Sequence, residues 1–367
     1  MQRRGERAEG AGESVAMTVD EYCQLIVQSQ LHSASVVKGM RARWLMVART
    51  PDDVSAFARW LIARGHLTAH QATLIGRGKV DNFFFNEFRI LERIGKGCMA
   101  GVYKAVDPKG RMAAIKVLPP SKAEEPAMLA RFQREAELAS RLDHACIVRT
   151  LQRGEQRGLH YIIMEYVEGD TLESLLAERG RLMPRETARI GLLTALGLQH
   201  VFEKGMVHRD LKPGNLMLCP APLREENTML CGVKILDIGL GRMLFNPDDR
   251  DASAGLTTDN TILGTPDYMS PEQARDASRA DIRADLYSLG CILYHALAGE
   301  PPFKDDNLVR QILRHATQQP TPLRERGAHA SEEFEQVVMR LLSKNPADRY
   351  ETPAQAAVAL KAVMSAE

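Results

Sequence analysis

"VHRDLKPGNLML", Val207 to Leu218, sets His208, Arg209, Asp210, Lys212 and Asn215 in one short run between apolar pairs. So much charge and amide suits neither a helix nor a buried strand, and Pro213 with Gly214 would break either one. The run predicts a loop that presents polar groups for a purpose. The flanking sequence indicates what they face.

Downstream, "VKILDIGLGR" reads as an apolar strand ending in Asp237-Ile238-Gly239. A carboxylate projected from a strand end can offer a metal ligand to a cleft, although a simple turn uses the same residues. Asn215 could add a second oxygen. Hard oxygen donors, few in number and with phosphate nearby, favour Mg²⁺.

Upstream, "IGKGCMAGVYKA" puts Gly95 and Gly97 between two strand patterns. Glycines there let a backbone lie close over a phosphate chain and turn its N–H groups inward, and a plain hairpin turn would also use them. The next strand ends "AAIKVL", with Ala114 and Lys116 on one face and Ile115 and Val117 on the other. A small Ala leaves room for a flat ring, and a Lys two residues on can reach phosphates. In the helical pattern "MLARFQREAELASRL", Met128, Phe132, Ala139 and Leu142 form a stripe with Glu135 in its middle, while Glu137 falls outside it. A carboxylate on a packed face needs a partner, and Lys116 is the candidate. Such a buried pair stabilises poorly, which points to a positioning role.

The chain of 367 residues exceeds one ordinary domain. Its formal charge of +1 gives no reason to expect nucleic acid or a membrane surface as partner. The six cysteines are scattered without paired spacing, which predicts reduced thiols in a cytoplasmic protein, although Cys219 and Cys231 could meet across a hairpin. The start, "MQRRGERAEGAGES", predicts a disordered tail over 1–17. "LYSLGCILYHALAG" is too short to span a membrane and predicts a buried helix, so no membrane span is expected. Residues 18–80 predict a small helical module of packing, docking or regulatory character. Thr18 with Glu21 and Thr68 with Gln71 suit capping boxes. "TPDD" predicts a helix starting with Pro51 at its first position, and Val54, Phe57, Ala58, Leu61 and Ile62 supply its apolar stripe before Gly65 stops it.

With these residues in view, the chain resembles the eukaryotic-type serine/threonine protein kinases, in the form that bacteria also use. The glycine-rich loop, "AAIK", the helix Glu, "MEYVEG", "HRDLKPGN", "DIG", "GTPDYMSPE", "DLYSLG" and "NPADRY" follow in order over 88–362. The resemblance implies an α+β fold with a β-rich N-lobe (88–167) and a helical C-lobe (168–362), preceded by the all-α module. It implies ATP and Mg²⁺ as cofactors and protein Ser/Thr hydroxyls as substrates. Asp210 would accept or orient the proton of the attacking hydroxyl, and Lys212 would steady the γ-phosphate. Asn215 and Asp237 would hold the metal. Lys116 would bind the α/β-phosphates, held by Glu135. Ile94, Gly95 and Gly97 would cover the nucleotide. Val102, Ala114 and Met217 would sandwich adenine, with Met164 as gatekeeper and the backbone from Glu165 to Val167 pairing with its edge. Lys212 and Thr265 match the Ser/Thr class. Asp285 would accept bonds from the catalytic-loop backbone, and Arg349 would pair with Glu272.

Two departures from the pattern stand out. Ala100 replaces the third loop glycine, which implies a looser or slower closure on nucleotide, and Ile238 stands where Phe is usual. No phosphate-handling residue is missing, and the alternative to an active enzyme is a nucleotide-binding scaffold. Arg209 implies control by phosphate on the activation segment, with Thr257, Thr258 and Thr261 as acceptors. The kinase-like pattern runs close to the end of the sequence, so any input is expected through the N-terminal helices or a partner, and a docking partner on those helices is the candidate.

Overall fold

The computed structural model describes residues 17–81, 83–96, 100–219, 232–238, 266–276 and 280–366. Gly97, Thr257, Thr258, Thr261, Thr265, Cys231 and the tail up to residue 16 lie outside the described residues. The chain divides into two compact units, one comprising residues up to Gly95 with Tyr103–Ala113, the other Lys96–Val102 with Ala114 onward.

In the first unit, α1 (Val19–Gln28), α2 (Ala34–Val47), α3 (Val54–Ala63) and α4 (Ala69–Gly76) pack around Tyr22, Ile26, Trp44, Phe57, Leu61 and Ile75. The capping box of α1 forms as expected: Thr18 N donates to Glu21 Oε2 at 2.7 Å and Glu21 N to Thr18 Oγ1 at 3.2 Å. The α4 box of Thr68 and Gln71 forms likewise. The start of α3 differs from expectation. Its N-cap is Asp53, whose side chain accepts from Ala56 N at 3.0 Å, and Pro51 lies before the helix. The Pro51 carbonyl instead accepts the Trp44 indole N–H at 2.9 Å and Arg41 Nη1 at 3.1 Å, which holds that turn out of helical geometry. Ile62, at the margin of the apolar stripe, is exposed.

After the helices come β1 (Phe84–Phe85), β2 (Phe88–Lys96), β3 (Gly101–Val106), β4 (Met112–Val117), β5 (Thr150–Gln156) and β6 (Leu159–Glu165). They form one sheet in the order β1-β2-β3-β4-β6-β5. Residues 113 to 117 of β4 are buried on both faces of the strand. In the second unit α5 (Pro120–Ala123) and α6 (Pro126–Ala139) precede β5. Phe132 and Ala136 of α6 pack with Leu118, Ile162 and the methyl of Ala100. The residue replacing the third loop glycine is thus part of a packed cluster.

The helical body follows, with β7 (Asp170–Thr171), α7 (Leu172–Arg179), α8 (Pro184–Glu203), β8 (Leu216–Leu218), β9 (Val233–Ile235), α9 (Pro271–Asp276), α10 (Ile282–Ala298), α11 (Leu308–Thr317), α12 (Glu332–Leu341) and α13 (Pro353–Ala366). The helix expected from "LYSLGCILYHALAG" is the later part of α10, which buries every residue except Arg283 and His295. A helix apolar all round belongs in a core. Among the described residues no helix is long and apolar enough to cross a membrane. Strands β7, β8 and β9 form a small sheet. The end of the opening stretch is therefore strand rather than loop. Leu216, Met217 and Leu218 are its apolar residues, and they pair with Ile235, Lys234 and Val233.

Candidate active site

The polar run before β8 is held by groups far away in sequence. Asp285, buried in the first turn of α10, accepts the backbone N–H groups of His208 and Arg209, both at 2.7 Å. Burial pushes the Asp285 carboxyl up, against the pull of His208 and those amides. His208 is fully buried. Its Nε2 donates to Leu236 O at 2.9 Å, which leaves Nδ1 to accept Asp210 N at 3.3 Å. Gln273 Nε2 donates to Arg209 O at 2.8 Å, and Arg209 Nη2 to Ala280 O at 3.0 Å. These bonds hold Arg209 at φ 65°, a left-handed conformation that a side-chain-bearing residue adopts at a cost. Asp237, at φ 50°, is a second such residue. Strain of this kind persists only where the surroundings over-determine it, and both residues lie beside the chemistry that the sequence predicts.

Within the loop, Lys212 Nζ donates to Asp210 Oδ2 at 2.9 Å. Asn215 Nδ2 donates to Asp210 O at 2.7 Å and to Asp210 Oδ2 at 3.3 Å. The β8–β9 pairing then brings the two expected metal ligands together. Leu216 lies opposite Ile235, and Leu236 N donates to Asn215 O at 2.9 Å, so Asn215 sits against the residue that precedes Asp237.

Lys116, nearly buried on β4, reaches two carboxylates. Its Nζ lies 2.6 Å from Glu135 Oε1 and 2.9 Å from Asp237 Oδ1. The Glu135 partnership is the one the sequence predicts, and Glu137 is exposed as expected. The second, with Asp237, has no counterpart in the sequence reading. Burial works to lower the Lys116 ammonium, but Asp237 and then Glu135 overcome it and hold the group above its ordinary value. Burial pushes the Glu135 carboxyl up, with Lys116 opposing. Burial also acts to raise Asp237, yet the Lys116 charge and hydrogen bond hold it below the usual range. One cation between two carboxylates leaves a surplus negative charge.

These groups suit a hard divalent ion. The amide N–H₂ of Asn215 is spent on Asp210, which leaves its oxygen as a donor in addition to the Asp237 carboxylate. Among the described residues no cluster of three or more His, Cys, Asp or Glu could hold a metal unaided. An ion here must complete its shell with phosphate oxygens and water, as Mg²⁺ does.

The expected adenine-contacting residues take these places. Ala114 is buried on β4, two residues before Lys116. Met217 lies on β8 between Thr171 and Lys234. Met164 packs against the α6 cluster near the end of β6. Val102 is on β3, and Val167, like it, is half-buried. Ile94, which is exposed, and Gly95 lie on β2 in the first unit. Glu165 was expected to act through its backbone, and its side chain has a further role. It accepts Lys234 Nζ at 2.5 Å and Arg149 N at 2.9 Å, fastening the end of β6 to β9. Two other expected contacts form. Arg349 pairs with Glu272 through both nitrogens, at 2.6 and 2.9 Å. Ile238 is buried in the helical core.

Residues 88–361 match the protein kinase domain family. The chain is 37% identical over 275 residues to serine/threonine-protein kinase PknB of Mycolicibacterium smegmatis, a match covering 74% of this chain and 42% of that protein. It is 34% identical over 276 residues to a probable serine/threonine-protein kinase PknB of Corynebacterium glutamicum, covering 73% of this chain and 40% of that one. It thus spans about two-fifths of the length of these curated relatives. Among solved structures, the Mycobacterium tuberculosis PknI kinase domain is similar with TM-score 0.57 and 26% identity, covering 77% of this chain and 97% of that one. Rad53 in complex with AMP-PNP is similar with TM-score 0.58 and 26% identity, covering 78% of this chain and 67% of that one. A β-rich segment followed by a helical body, with the lysine, carboxylates and amide above in the order the motifs require, agrees with that match over most of the sequence. The chain belongs to the protein kinase domain family.

Proposed function

We propose that the chain is an ATP-dependent serine/threonine protein kinase. The observation that carries this reading is the Lys116 ammonium shared by Glu135 and Asp237, beside a loop in which Asp210, Lys212 and Asn215 bond to one another. The kinase names of the curated relatives and the AMP-PNP complex of a structural relative support it. In this reading the substrate hydroxyl oxygen attacks the γ-phosphorus of ATP, the bond to the bridging β-oxygen breaks, ADP leaves, and the hydroxyl proton passes to Asp210. Lys212 turns its charge to the γ-phosphoryl oxygens. Lys116 keeps Glu135 and turns from Asp237 to the α/β-phosphates, and Asp237 with Asn215 would hold the metal. Bound Mg²⁺ would neutralise charge developing on the phosphoryl oxygens. The residues' own contribution is in-line positioning and electrostatic stabilisation.

We read 88–362 as the catalytic domain and 18–80 as a module preceding it. The free thiols of Cys23 and Cys291 support a reducing, cytoplasmic setting for these parts. The test is transfer of labelled γ-phosphate to a protein acceptor with Mg²⁺ present. Asp210→Asn should lower the rate by roughly a hundred- to ten-thousandfold while nucleotide still binds. Unchanged transfer in that variant, or a wild-type chain that binds no ATP, would overturn the proposal.

A further inference from the structure

Helix α4 and β2 up to Gly95 belong to the same compact unit. β2 has a strand neighbour on its outer edge for a short distance only: Phe84 pairs with Arg89, Phe85 with Phe88, and Ile90 N donates to Phe83 O at 2.8 Å. Beyond that point the first turn of α4 takes over. Gln71 Nε2 donates to Ile90 O at 2.6 Å in a buried bond, and Thr68 Oγ1 donates to Leu91 O. His70, between them, lays its ring against Tyr103 of β3 with centroids 6.0 Å apart. A single helical turn therefore touches both β2, which carries Gly95, and β3.

The choice of residue at position 71 is informative. A capping box closes equally well with Glu or Gln, and the solvent-facing box of α1 uses Glu21. In α4, Gln71 closes the box with Oε1, which accepts Thr68 N at 3.0 Å, and spends Nε2 on the strand. A glutamate would serve the helix and set a carboxylate against the Ile90 carbonyl. The amide is needed for the strand.

We propose that Thr68 and Gln71 are positioning residues for nucleotide: α4 holds the β2–β3 hairpin in the geometry that binds ATP, so the N-terminal helices tune nucleotide affinity rather than turnover. The inference rests on the kinase reading above. An exposed edge strand is free to fray and twist, and a hairpin that must first be ordered weakens binding in inverse proportion to the fraction of time it is competent.

The test uses the full chain. Gln71→Glu keeps the capping box and removes the donor. It should raise the ATP KM roughly three- to tenfold with little change in kcat, and speed hydrogen exchange at the amides of residues 88–92. Thr68→Val should do the same, and Thr68→Ser, which retains the hydroxyl, should restore wild-type KM. An unmoved ATP KM in Gln71→Glu overturns the inference. A second measurement needs no variant. Saturating AMP-PNP should slow exchange at the amides of residues 68–72 in the wild-type chain, because linkage is reciprocal, and bound nucleotide without such slowing also overturns it. If wild type binds ATP and Gln71→Glu binds it equally well, this inference alone falls. If wild type binds no ATP, the kinase reading falls and takes it along.

Discussion

At Lys116 one ammonium answers two carboxylates, and that arithmetic governs what substitution there does. Lys116→Met leaves the buried Glu135 and the half-buried Asp237 without their shared cation. Removing one partner of a buried pair costs about 3–5 kcal/mol because the remaining charge is uncompensated. Glu135 has a way to relieve it, since burial already pushes its carboxyl above 4.5 and loss of the cation pushes it further. A carboxyl raised in the folded state binds its proton more tightly than in the unfolded chain, so stability falls as pH rises from the unfolded value through the folded one. Urea unfolding should therefore show a Lys116→Met deficit that is small near pH 5 and widens toward pH 7.5. A deficit independent of pH would mean that the two carboxylates do not share the cation. Glu135→Gln, which leaves the Lys116–Asp237 bond intact, should cost less at every pH. The Glu135 part of this was legible in sequence because a carboxylate on an apolar stripe advertises a need. The Asp237 part was not, because its strand reaches Lys116 only through tertiary packing.

Elements approach closely where a glycine leaves room. On α10, a Cβ at Gly290 would stand 2.8 Å from Leu341 Cβ on α12, an atom fixed to the backbone. On α8, a Cβ at Gly197 would meet Ile235 Cδ1 at 2.7 Å, the far end of a flexible side chain, with Cys146 O at 3.2 Å. Alanine is the better helix former by about 0.8–1.0 kcal/mol, but overpacking a tight contact costs about 1–3 kcal/mol. Gly290→Ala should thus lower stability by about 1–2 kcal/mol in denaturant unfolding, and Gly197→Ala by less, because Ile235 can rotate aside. The reverse order would show that α12 yields more easily than the Ile235 side chain. Capping at the element scale was partly legible. Thr18–Glu21 and Thr68–Gln71 cap as their spacing implies, whereas α3 begins later than "TPDD" suggests because Trp44 and Arg41 claim the Pro51 carbonyl.

The whole molecule carries a formal charge of +1, so its response to pH comes from individual buried groups rather than from general repulsion. His315 on α11 is one of them. It is buried, its Nδ1 shares a hydrogen bond with Tyr287 OH at 3.0 Å, and the Phe303 ring meets it edge-on at 4.9 Å. Burial, with Lys344 adding to it, pushes the imidazole down to about 3 from 6.5. Between those values the unfolded chain binds a proton that the folded chain refuses. The stabilisation is therefore present above about pH 6.5 and fades at about 1.4 kcal/mol per unit as pH falls. His315→Gln should flatten the acid limb of stability between pH 6.5 and 5 by up to that slope, and an unchanged limb would show that His315 is protonated in the fold. By itself the amino-acid sequence determined the order of motifs, the polar loop around Asp210 and the need of Glu135 for a cation, because charge in an apolar setting and breakers in a periodic run are local facts, whereas the pairing of Arg349 with Glu272 was implied only by the family resemblance. Tertiary structure alone decided that Asp237 shares Lys116, that Glu165 is fastened to Lys234, and that Gln71 serves a strand as well as its own helix. Those partners are separated along the chain by residues whose packing sets the register, and no local pattern carries that information.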